Sequence, residues 1–247
     1  MIGEFDASPQ NCEAAARWKW TDHFVRQAAA LNTAVMIWDN GLDHLDRSSH
    51  VWRDPTSINI TINAVKGIPN SLADSTTDTG ATTQNTSAYI FHKVGDAVGD
   101  QALPYLLNGN TLSSITTNSG SRLVDGTDYS VSGSVITFNA SFLSKYLSTN
   151  GVPGSKGNLT VSFSKGASLN VEIVEWDIPT LSSTTAKASG GQDLAIPITW
   201  KGLNKVAAVK MVENNGTYLF DSWTQYLGPL QQARAVSCCI SYGLSTY

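Results

Sequence analysis

The stretch "TDYSVSGSVITFNASFL" (residues 127–143) contains two short runs of strand-forming residues on either side of Ser132-Gly133. Tyr129 and Val131 precede this turn, and Val135 and Thr137 follow it. Two β-forming runs joined by a tight turn that contains glycine are typical of a β-hairpin. The stretch therefore predicts a hairpin in the middle of the chain.

Similar runs flank the hairpin on both sides, and Asn-Gly, Asp-Gly and Ser-Gly turns separate them. Apolar side chains alternate with polar ones in two of these runs: Leu159, Val161, Phe163, Leu169, Val171 and Ile173. Several short strands at close, regular spacing are typical of a sandwich of two antiparallel sheets. We predict an immunoglobulin-like β-sandwich over residues 87–176.

Residues 1–67 have a different pattern, which predicts strand, helix, strand and helix. "MIGEF" (1–5) is a short apolar run, and "TAVMIW" (33–38) is a continuous apolar run, as expected of a parallel strand that is covered on both faces. The segment between them predicts a helix with one mostly apolar stripe, formed by Ala15, Trp18, Asp22, Val25 and Ala29. Three basic residues of this helix face elsewhere: Arg17, Lys19 and Arg26. Alternating β and α elements imply a parallel α/β layer.

"DPTSINITINAVKG" (54–67) begins with Asp54 as a predicted N-cap and Pro55 at the first helical position, and it stops at Gly67. Ile58, Ile62 and Val65 fit one face of a helix. The alternation of Ile58, Ile60 and Ile62 also fits a strand, so both alternatives remain open.

The remaining segments carry weaker patterns. Residues 68–86 hold almost no large apolar groups and predict a linker. Residues 177–235 hold about three strand-like runs, including "DLAIPITW" (193–200), which predicts a truncated all-β module. Residues 236–247 continue no pattern and stay unassigned. The expected fold class is thus multidomain.

Composition excludes several kinds of partner. The formal net charge is −4, and phosphate binding needs clustered Lys and Arg, so we expect no nucleic acid. No apolar run approaches the ~18 residues that span a bilayer, so we expect no membrane partner. Cys12, Cys238 and Cys239 form neither an even disulfide framework nor a metal-ligand pattern, and a disulfide from Cys12 to the tail stays open.

Secretion is favoured by the Ser- and Thr-rich composition and by five Asn-x-Ser/Thr sites, at Asn59, Asn85, Asn139, Asn158 and Asn215. The first residues show no signal peptide. We expect an extracellular protein whose natural start lies further upstream.

The segments "IGEF" (2–5), "MIWDNG" (36–41), "DHLDR" (43–47) and "RDP" (53–55), with Trp52, resemble the last two βα units of a family 5 glycoside hydrolase. These enzymes are endo-β-1,4-glucanases and relatives with a (β/α)8 barrel. The resemblance implies that Glu4 is the catalytic nucleophile and that Trp38 supports the sugar ring. It also places Asp39 and Asn40 along the cleft.

Two further segments, "LNGNTLSSIT" (107–116) and "LVDGTDYSVSGSVITFNASFL" (123–143), resemble the immunoglobulin-like X2 module that follows such catalytic domains. Residues 177–235 are loosely similar to a carbohydrate-binding β-module. There Trp200 and Trp223 either form a sugar-stacking surface or are buried sandwich tryptophans.

The physical chemistry of retaining glycosidases agrees with this assignment and also limits it. In (β/α)8 enzymes the site lies at the C-terminal ends of the strands, where Glu4 and Trp38 fall. A retaining mechanism needs two carboxyl groups about 5–5.5 Å apart. In the family the acid/base glutamate lies in an Asn-Glu-Pro motif on strand four, and this chain contains no such motif.

The leading hypothesis is therefore the C-terminal part of a secreted endo-β-1,4-glucanase that is inactive alone. Its expected partner is cellulose, xyloglucan or mixed-linkage glucan, and we expect a monomer without cofactor. The alternative is a non-catalytic chain whose β-modules bind or space carbohydrate. On composition alone Glu4 is a frayed terminal carboxylate.

Two smaller expectations complete the analysis. "DHLDRSSH" (43–50) suggests metal ligands at Asp43, His44, Asp46 and His50, but such loose spacing is more typical of a solvated loop, and we expect no metal. Two βα units leave apolar faces and a strand edge uncovered. We therefore hypothesise that residues 1–67 do not fold stably alone, whereas residues 87–176 do.

Overall fold

The structure is a computed structural model that describes residues 1–9, 12–39, 41, 43–76, 86–187, 189, 195–203 and 215. Its helices are α1 (Ala14–Ala30), α2 (Pro55–Val65) and α3 (Ala140–Leu143). The strands before the sandwich are β1 (Ile2–Phe5), β2 (Val35–Ile37), β3 (Leu45–Asp46) and β4 (Val51–Trp52). The later strands are β5 (Leu72–Ala73), β6 (Tyr89–Lys93), β7 (Gln101–Leu106), β8 (Leu112–Thr117), β9 (Tyr129–Ser132), β10 (Val135–Phe138), β11 (Gly154–Phe163), β12 (Leu169–Trp176), β13 (Thr180–Leu181) and β14 (Ile198–Thr199).

The first unit is the predicted strand, helix, strand and helix. β1 and β2 pair in parallel with α1 between them in sequence, and Phe5 is the register partner of Ile37. Phe5 packs with Val25 of α1 and Ala64 of α2 in a small apolar cluster. Only one face of β2 is covered, however, because Met36 on the other face is 49% exposed. The expectation of a strand buried on both faces is wrong within the described residues.

Helix α2 begins and ends where the sequence predicts. The Asp54 side chain accepts a hydrogen bond from the Ser57 amide, Pro55 occupies the first turn, and Gly67 adopts a φ of +71° beyond the end. Residues 58–62 are helical rather than extended. Ile60 is fully buried while Ile62 is 44% exposed, so the buried face differs from the predicted stripe of Ile58, Ile62 and Val65.

Arg17 of α1 departs from the expectation that it faces away from the core. It is buried, and its guanidinium lies 2.7 Å from Asp54, which also accepts a hydrogen bond from the Trp18 indole. A buried charge needs a partner. Asp54 provides this partner from 37 positions away, beyond the reach of a helical-periodicity argument.

Residues 86–176 form a sandwich of two four-stranded sheets, ordered β5-β7-β10-β9 and β6-β12-β11-β8, to which β5 contributes from earlier in the chain. The predicted hairpin is present, with β9 antiparallel to β10. Its buried side chains are Tyr129, Ile136 and Phe138, whereas Val131 is 42% exposed. All six alternating residues of β11 and β12 that were predicted from sequence are buried: Leu159, Val161, Phe163, Leu169, Val171 and Ile173.

Part of the predicted linker belongs to the folded body. Leu72 and Ala73 are buried, and they pair with Leu106 and Tyr105 of β7 as the edge strand of one sheet. One apolar cluster runs from Trp18 and Ile60 of the helices through this edge into the sandwich. Leu72 and Ala73 are buried here because α1 packs against this edge strand.

The third region is described in part. β13 and β14 form an antiparallel pair, with Thr180 opposite Thr199, and β14 lies within the predicted run "DLAIPITW" (193–200). Asn40, Trp223, Cys238 and Cys239 lie outside the described residues, whereas Cys12 is buried and disulfide-bonded. No helix of the described ranges is long and apolar enough to cross a bilayer.

Candidate functional site

The C-terminal ends of β1 and β2 lie side by side. The Trp38 amide donates a hydrogen bond to the Phe5 carbonyl oxygen at 2.9 Å. Phe5 and Ile37 are paired and pack toward the helices. Successive side chains of a strand point to opposite faces. Glu4 precedes Phe5 and Trp38 follows Ile37, so alternation favours the face away from the helices for both. The register of the pair shifts between Ile2 and Phe5, and exposure agrees with this face, since Glu4 is exposed and Trp38 is 44% exposed.

The loops that follow the two strands are tied together by side chains. His44 Nε2 lies 2.6 Å from Asp6 Oδ1, and the Ser8 hydroxyl donates to Asp43 Oδ1 at 2.6 Å. The His44 side chain is buried, whereas Asp6 is exposed, so this contact is only partly covered. These two contacts connect the loops that follow β1 and β2, beside Glu4 and Trp38.

Asp39 follows Trp38 directly and is held by backbone amides. Desolvation raises the pKa of Asp39, but hydrogen bonds from the amides of His44, Gly41 and Leu45 and the charge of Arg47 outweigh it and lower this pKa below its ordinary value. Asp39 therefore stays ionised and organises its own loop. Asn40, the other predicted cleft residue, lies outside the described residues.

The segment at residues 43–50, weighed above as a metal site, contains β3, which forms a short hairpin with β4 directly after the segment. Hydrogen bonds from the Ser48 hydroxyl and from the amides of Ser49 and Ser48 lower the pKa of Asp46 to about 2. Asp43 and His44 are engaged with Ser8 and Asp6. Within the described ranges no three Cys, His, Asp or Glu side chains lie close enough together to hold a metal ion.

Sequence reasoning missed a buried residue at the junction between the first unit and the sandwich. Asn70 is fully buried, and its Nδ2 donates to Asp22 Oδ1 of α1 at 2.7 Å and to the Ile60 carbonyl oxygen of α2 at 3.1 Å. Its Oδ1 accepts a hydrogen bond from the Ala167 amide of the sandwich at 3.0 Å. Asn70 thereby connects both helices to the sandwich, and no local sequence signal marks it.

The sheet that contains β6 and β12 presents aromatic side chains on its outer face. The rings of Tyr89 and Phe91 are stacked, with centroids 5.2 Å apart and planes 10° from parallel. Lys93 Nζ lies 5.9 Å from the centroid of the Trp176 ring. In the third region Trp200 is 44% exposed, while Trp223 lies outside the described residues. An exposed indole such as that of Trp200 is where a sugar ring can stack.

Comparison with known proteins bears on this arrangement. Residues 84–173 match the family described as carbohydrate binding domain X2. The match covers the sandwich and includes the segments at 107–116 and 123–143, from which the sequence predicts a module similar to X2.

The similarity extends beyond the X2 domain. The chain is 31% identical over 231 residues to endoglucanase B of Paenibacillus lautus, a match that covers 92% of this chain and 38% of that protein. It is 29% identical over 144 residues to cellulose-binding protein A of Clostridium cellulovorans, which covers 56% of this chain and 7% of that protein. The chain therefore spans well under half the length of these curated relatives.

Solved structures give the same result. A tri-modular family 5 (subfamily 4) endo-β-1,4-glucanase of Bacillus licheniformis, in complex with cellotetraose, is 36% identical, and the match covers 82% of this chain and 37% of that chain with a TM-score of 0.70. The tri-modular endo-β-1,4-glucanase B of Bacillus halodurans is 27% identical, with 87% and 38% covered and a TM-score of 0.69. The chain is thus homologous to tri-modular endoglucanases over most of its length.

Proposed function

We propose that residues 1–67 are the last two βα units of a (β/α)8 barrel and that this chain acts as the C-terminal part of a secreted, retaining endo-β-1,4-glucanase. The observation that supports this proposal is the parallel pair of β1 and β2, in which Glu4 and Trp38 adjoin the paired residues Phe5 and Ile37 at neighbouring strand ends. In a barrel that face is the interior, and these ends form the catalytic side.

The proposed roles follow from the chemistry of retaining glycosidases. The Glu4 carboxylate attacks the anomeric carbon, and the bond from that carbon to the leaving glycosidic oxygen breaks. A second carboxyl group first protonates that oxygen and then activates the water that releases the sugar. Trp38 offers its indole face to the C–H face of the pyranose. The reaction uses no cofactor.

The second carboxyl group is missing from these 247 residues, which contain no Asn-Glu-Pro motif. Loss of general acid/base assistance alone costs about 10²–10⁴ in rate, and most of the cleft is missing as well. We therefore infer that the 247 residues alone do not hydrolyse glucan. The substrate of the complete enzyme is cellulose, xyloglucan or a mixed-linkage glucan, and we expect a monomer in the extracellular medium.

A fusion tests this proposal. The first six βα units of the Bacillus licheniformis endo-β-1,4-glucanase are placed before Met1, and release of reducing sugar from soluble β-glucan is measured. We expect no activity from the chain alone, activity from the fusion, and loss of several orders of magnitude in the Glu4→Gln fusion. The matched control Asp125→Asn removes an exposed carboxylate of the X2 domain and keeps full activity. An active Glu4→Gln fusion rejects the proposal.

A second candidate function is carbohydrate binding without catalysis. The X2 match and the exposed indole of Trp200 favour it. Retention of the chain on insoluble cellulose, compared among Trp200→Ala, Trp223→Ala and a control, measures it. Trp52→Ala is the control because Trp52 is 43% exposed, close to the 44% of Trp200, but lies in the first unit. Loss of retention in Trp200→Ala and Trp223→Ala, but not in Trp52→Ala, supports this function.

A further inference from the structure

A groove of about 610 Å³ lies between the first unit and the outer face of the sheet that contains β6, β12 and β11. The polar or aromatic residues of its two walls include Arg53 and Asn59 on the helix side, and Tyr89, Thr160, Asn170 and Glu172 on the sheet side. The volume is in the range of about 300–1,000 Å³ that is usual for small-molecule sites.

The strand register brings the sheet-side residues together. Glu172 is the partner of Tyr89 across β12 and β6, and Asn170 is the partner of Thr160 across β12 and β11. Their neighbours Val171 and Ile173 are fully buried in the core. Because side chains alternate along a strand, these four residues share the outer face. The sheet wall therefore presents one aromatic ring beside a hydroxyl, an amide and a carboxylate.

The Tyr89 ring is held in place and its hydroxyl stays neutral. Phe91 stacks on the ring at 5.2 Å, which supports it from one side. Burial, and secondly the charge of Glu172, raise the pKa of Tyr89 to about 12. The hydroxyl therefore donates or accepts hydrogen bonds over the whole physiological range, and it does not add a second negative charge beside Glu172.

The polar side chains on the floor of the groove already have hydrogen-bond partners within the chain. Arg17 and Trp18 both donate to Asp54, at 2.8 Å each, and Asp54 also caps α2. The floor thus leaves no uncompensated charge that calls for an ion. Asn59 is exposed at the rim and can contact a ligand, whereas the guanidinium of Arg53, also exposed there, lies 3.5 Å from the Asp46 carboxylate.

The composition of the lining selects the chemical class of the ligand. An anion would meet the Glu172 carboxylate, and a purely apolar ligand would bury the polar groups of Asn59, Thr160 and Asn170 without partners. A neutral molecule with many hydroxyl groups and an apolar C–H face satisfies both walls. A saccharide has this character.

The position of the groove relates it to the strand ends. Helices α1 and α2 begin after the C-terminal ends of β1 and β2, so their N-terminal turns lie on the same side of the unit as Glu4 and Trp38. Ala14 and Pro55 from these turns, and Pro9 from the loop before α1, line the groove. The groove is therefore lined in part by residues from the end of the first unit that carries the proposed catalytic residues.

We propose that this groove binds a short segment of β-1,4-glucan, with Tyr89 stacked on a glucose ring and with Asn59, Asn170 and Glu172 hydrogen-bonded to its hydroxyls. The choice of a β-glucan rests on the proposed function. The proposal adds a second contact for the polysaccharide, formed jointly by the first unit and the X2 domain.

Binding of cellohexaose and of soluble β-glucan to the 247-residue chain, measured by titration calorimetry and affinity electrophoresis, tests the groove. Thr160→Trp fills it from an exposed position, and Thr116→Trp is the matched control, since Thr116 is the register partner of Thr160 on β8 and does not line the groove. Tyr89→Ala is paired with Tyr146→Ala, a half-buried tyrosine of the sandwich that does not line the groove. Thermal midpoints identify any variant that fails to fold.

We expect Thr160→Trp and Tyr89→Ala each to weaken binding about tenfold, and both controls to stay within about twofold of the unsubstituted chain. Unchanged binding in Thr160→Trp, or equal loss of binding in Thr160→Trp and Thr116→Trp, overturns the proposal that the groove binds glucan. Absence of β-glucan binding by the unsubstituted chain also overturns it. The hydrolase proposal is judged separately, because the Glu4→Gln fusion reports activity whatever the groove variants do.

Discussion

The Trp38 amide and the Phe5 carbonyl oxygen form a hydrogen bond of 2.9 Å that joins the C-terminal ends of the two parallel strands. This bond fixes the register in which Phe5 lies against Ile37 and both pack toward the helices. A slip of one residue in either strand would turn its side chains to the opposite face. We infer that the packing of Phe5 and Ile37 against the helices sets the side of the strand pair on which the adjoining Glu4 and Trp38 lie.

The buried ion pair of Arg17 and Asp54 predicts a large stability effect. Asp54→Ala leaves the buried guanidinium of Arg17 without its carboxylate and removes the cap of α2. We expect a loss of about 3–5 kcal/mol in the free energy of unfolding. Chemical denaturation measures it, with Lys145→Ala as control. Lys145 pairs with Asp128 but its side chain is 62% exposed, so we expect less than about 1 kcal/mol there. Similar losses in both variants would contradict the prediction.

Asn70 predicts that the first unit and the sandwich unfold together. Asn70→Ala removes the hydrogen bonds to Asp22, the Ile60 carbonyl and the Ala167 amide at once. Each buried group left without a partner costs about 1–3 kcal/mol, and we expect a total of at least ~2 kcal/mol. Limited proteolysis should then release residues 1–67 faster than from the unsubstituted chain. Asn170→Ala, at an exposed position, should leave the cleavage rate unchanged.

Gly151 predicts a steric requirement beside a buried charge. A Cβ at this position would lie 1.9 Å from the Glu175 carboxylate, which is paired with Lys156 at 3.0 Å. Gly151→Ala must displace this carboxylate, and we expect a loss of about 1–3 kcal/mol in the free energy of unfolding. Gly99→Ala meets no atom within 4 Å and should change it by less than about 0.5 kcal/mol. Equal effects in the two variants would show that Gly151 is not sterically restricted.

Asp46 predicts a local dependence on acid. Its pKa is lowered from 3.8 to about 2 in the folded chain by hydrogen bonds from Ser48 and Ser49. A lowered pKa means that these contacts stabilise the loop above about pH 4 and that this contribution is lost as the pH falls toward 2. Carboxyl carbon shifts followed by NMR should show the Asp46 transition near pH 2. A transition near the ordinary pKa would contradict the contacts with Ser48 and Ser49.

Several features were predictable because their signals are local. Asp54-Pro55 and Gly67 mark the ends of α2, and alternation in residues 159–163 marks buried strand positions without knowledge of the partner strand. Arg17 and Asn70 were not predictable in this way, since their partners Asp54 and Ala167 lie 37 and 97 positions away. Leu72 and Ala73 were missed because two apolar residues among polar ones do not resemble a strand until β7 and the helices are in place.

The candidate site also combines residues that the sequence predicted with contacts that it did not predict. Glu4 and Trp38 were singled out by their resemblance to a family motif, and the fold adds that they adjoin the register pair of Phe5 and Ile37. The contact of His44 with Asp6 was not foreseen, since loose spacing in residues 43–50 suggested only a metal site or a solvated loop. A side chain that bridges two loops leaves no periodic signal in either loop.

Covalent trapping tests the central claim most directly. The fusion that completes the barrel is incubated with a 2-deoxy-2-fluoro cellobioside, whose retaining glycosyl-enzyme intermediate is hydrolysed slowly, and the labelled peptide is sequenced by mass spectrometry. We predict a single label on Glu4 and none in the Glu4→Gln fusion. A label on a different carboxylate, or hydrolysis that persists in Glu4→Gln, would contradict the assignment of Glu4 as the nucleophile.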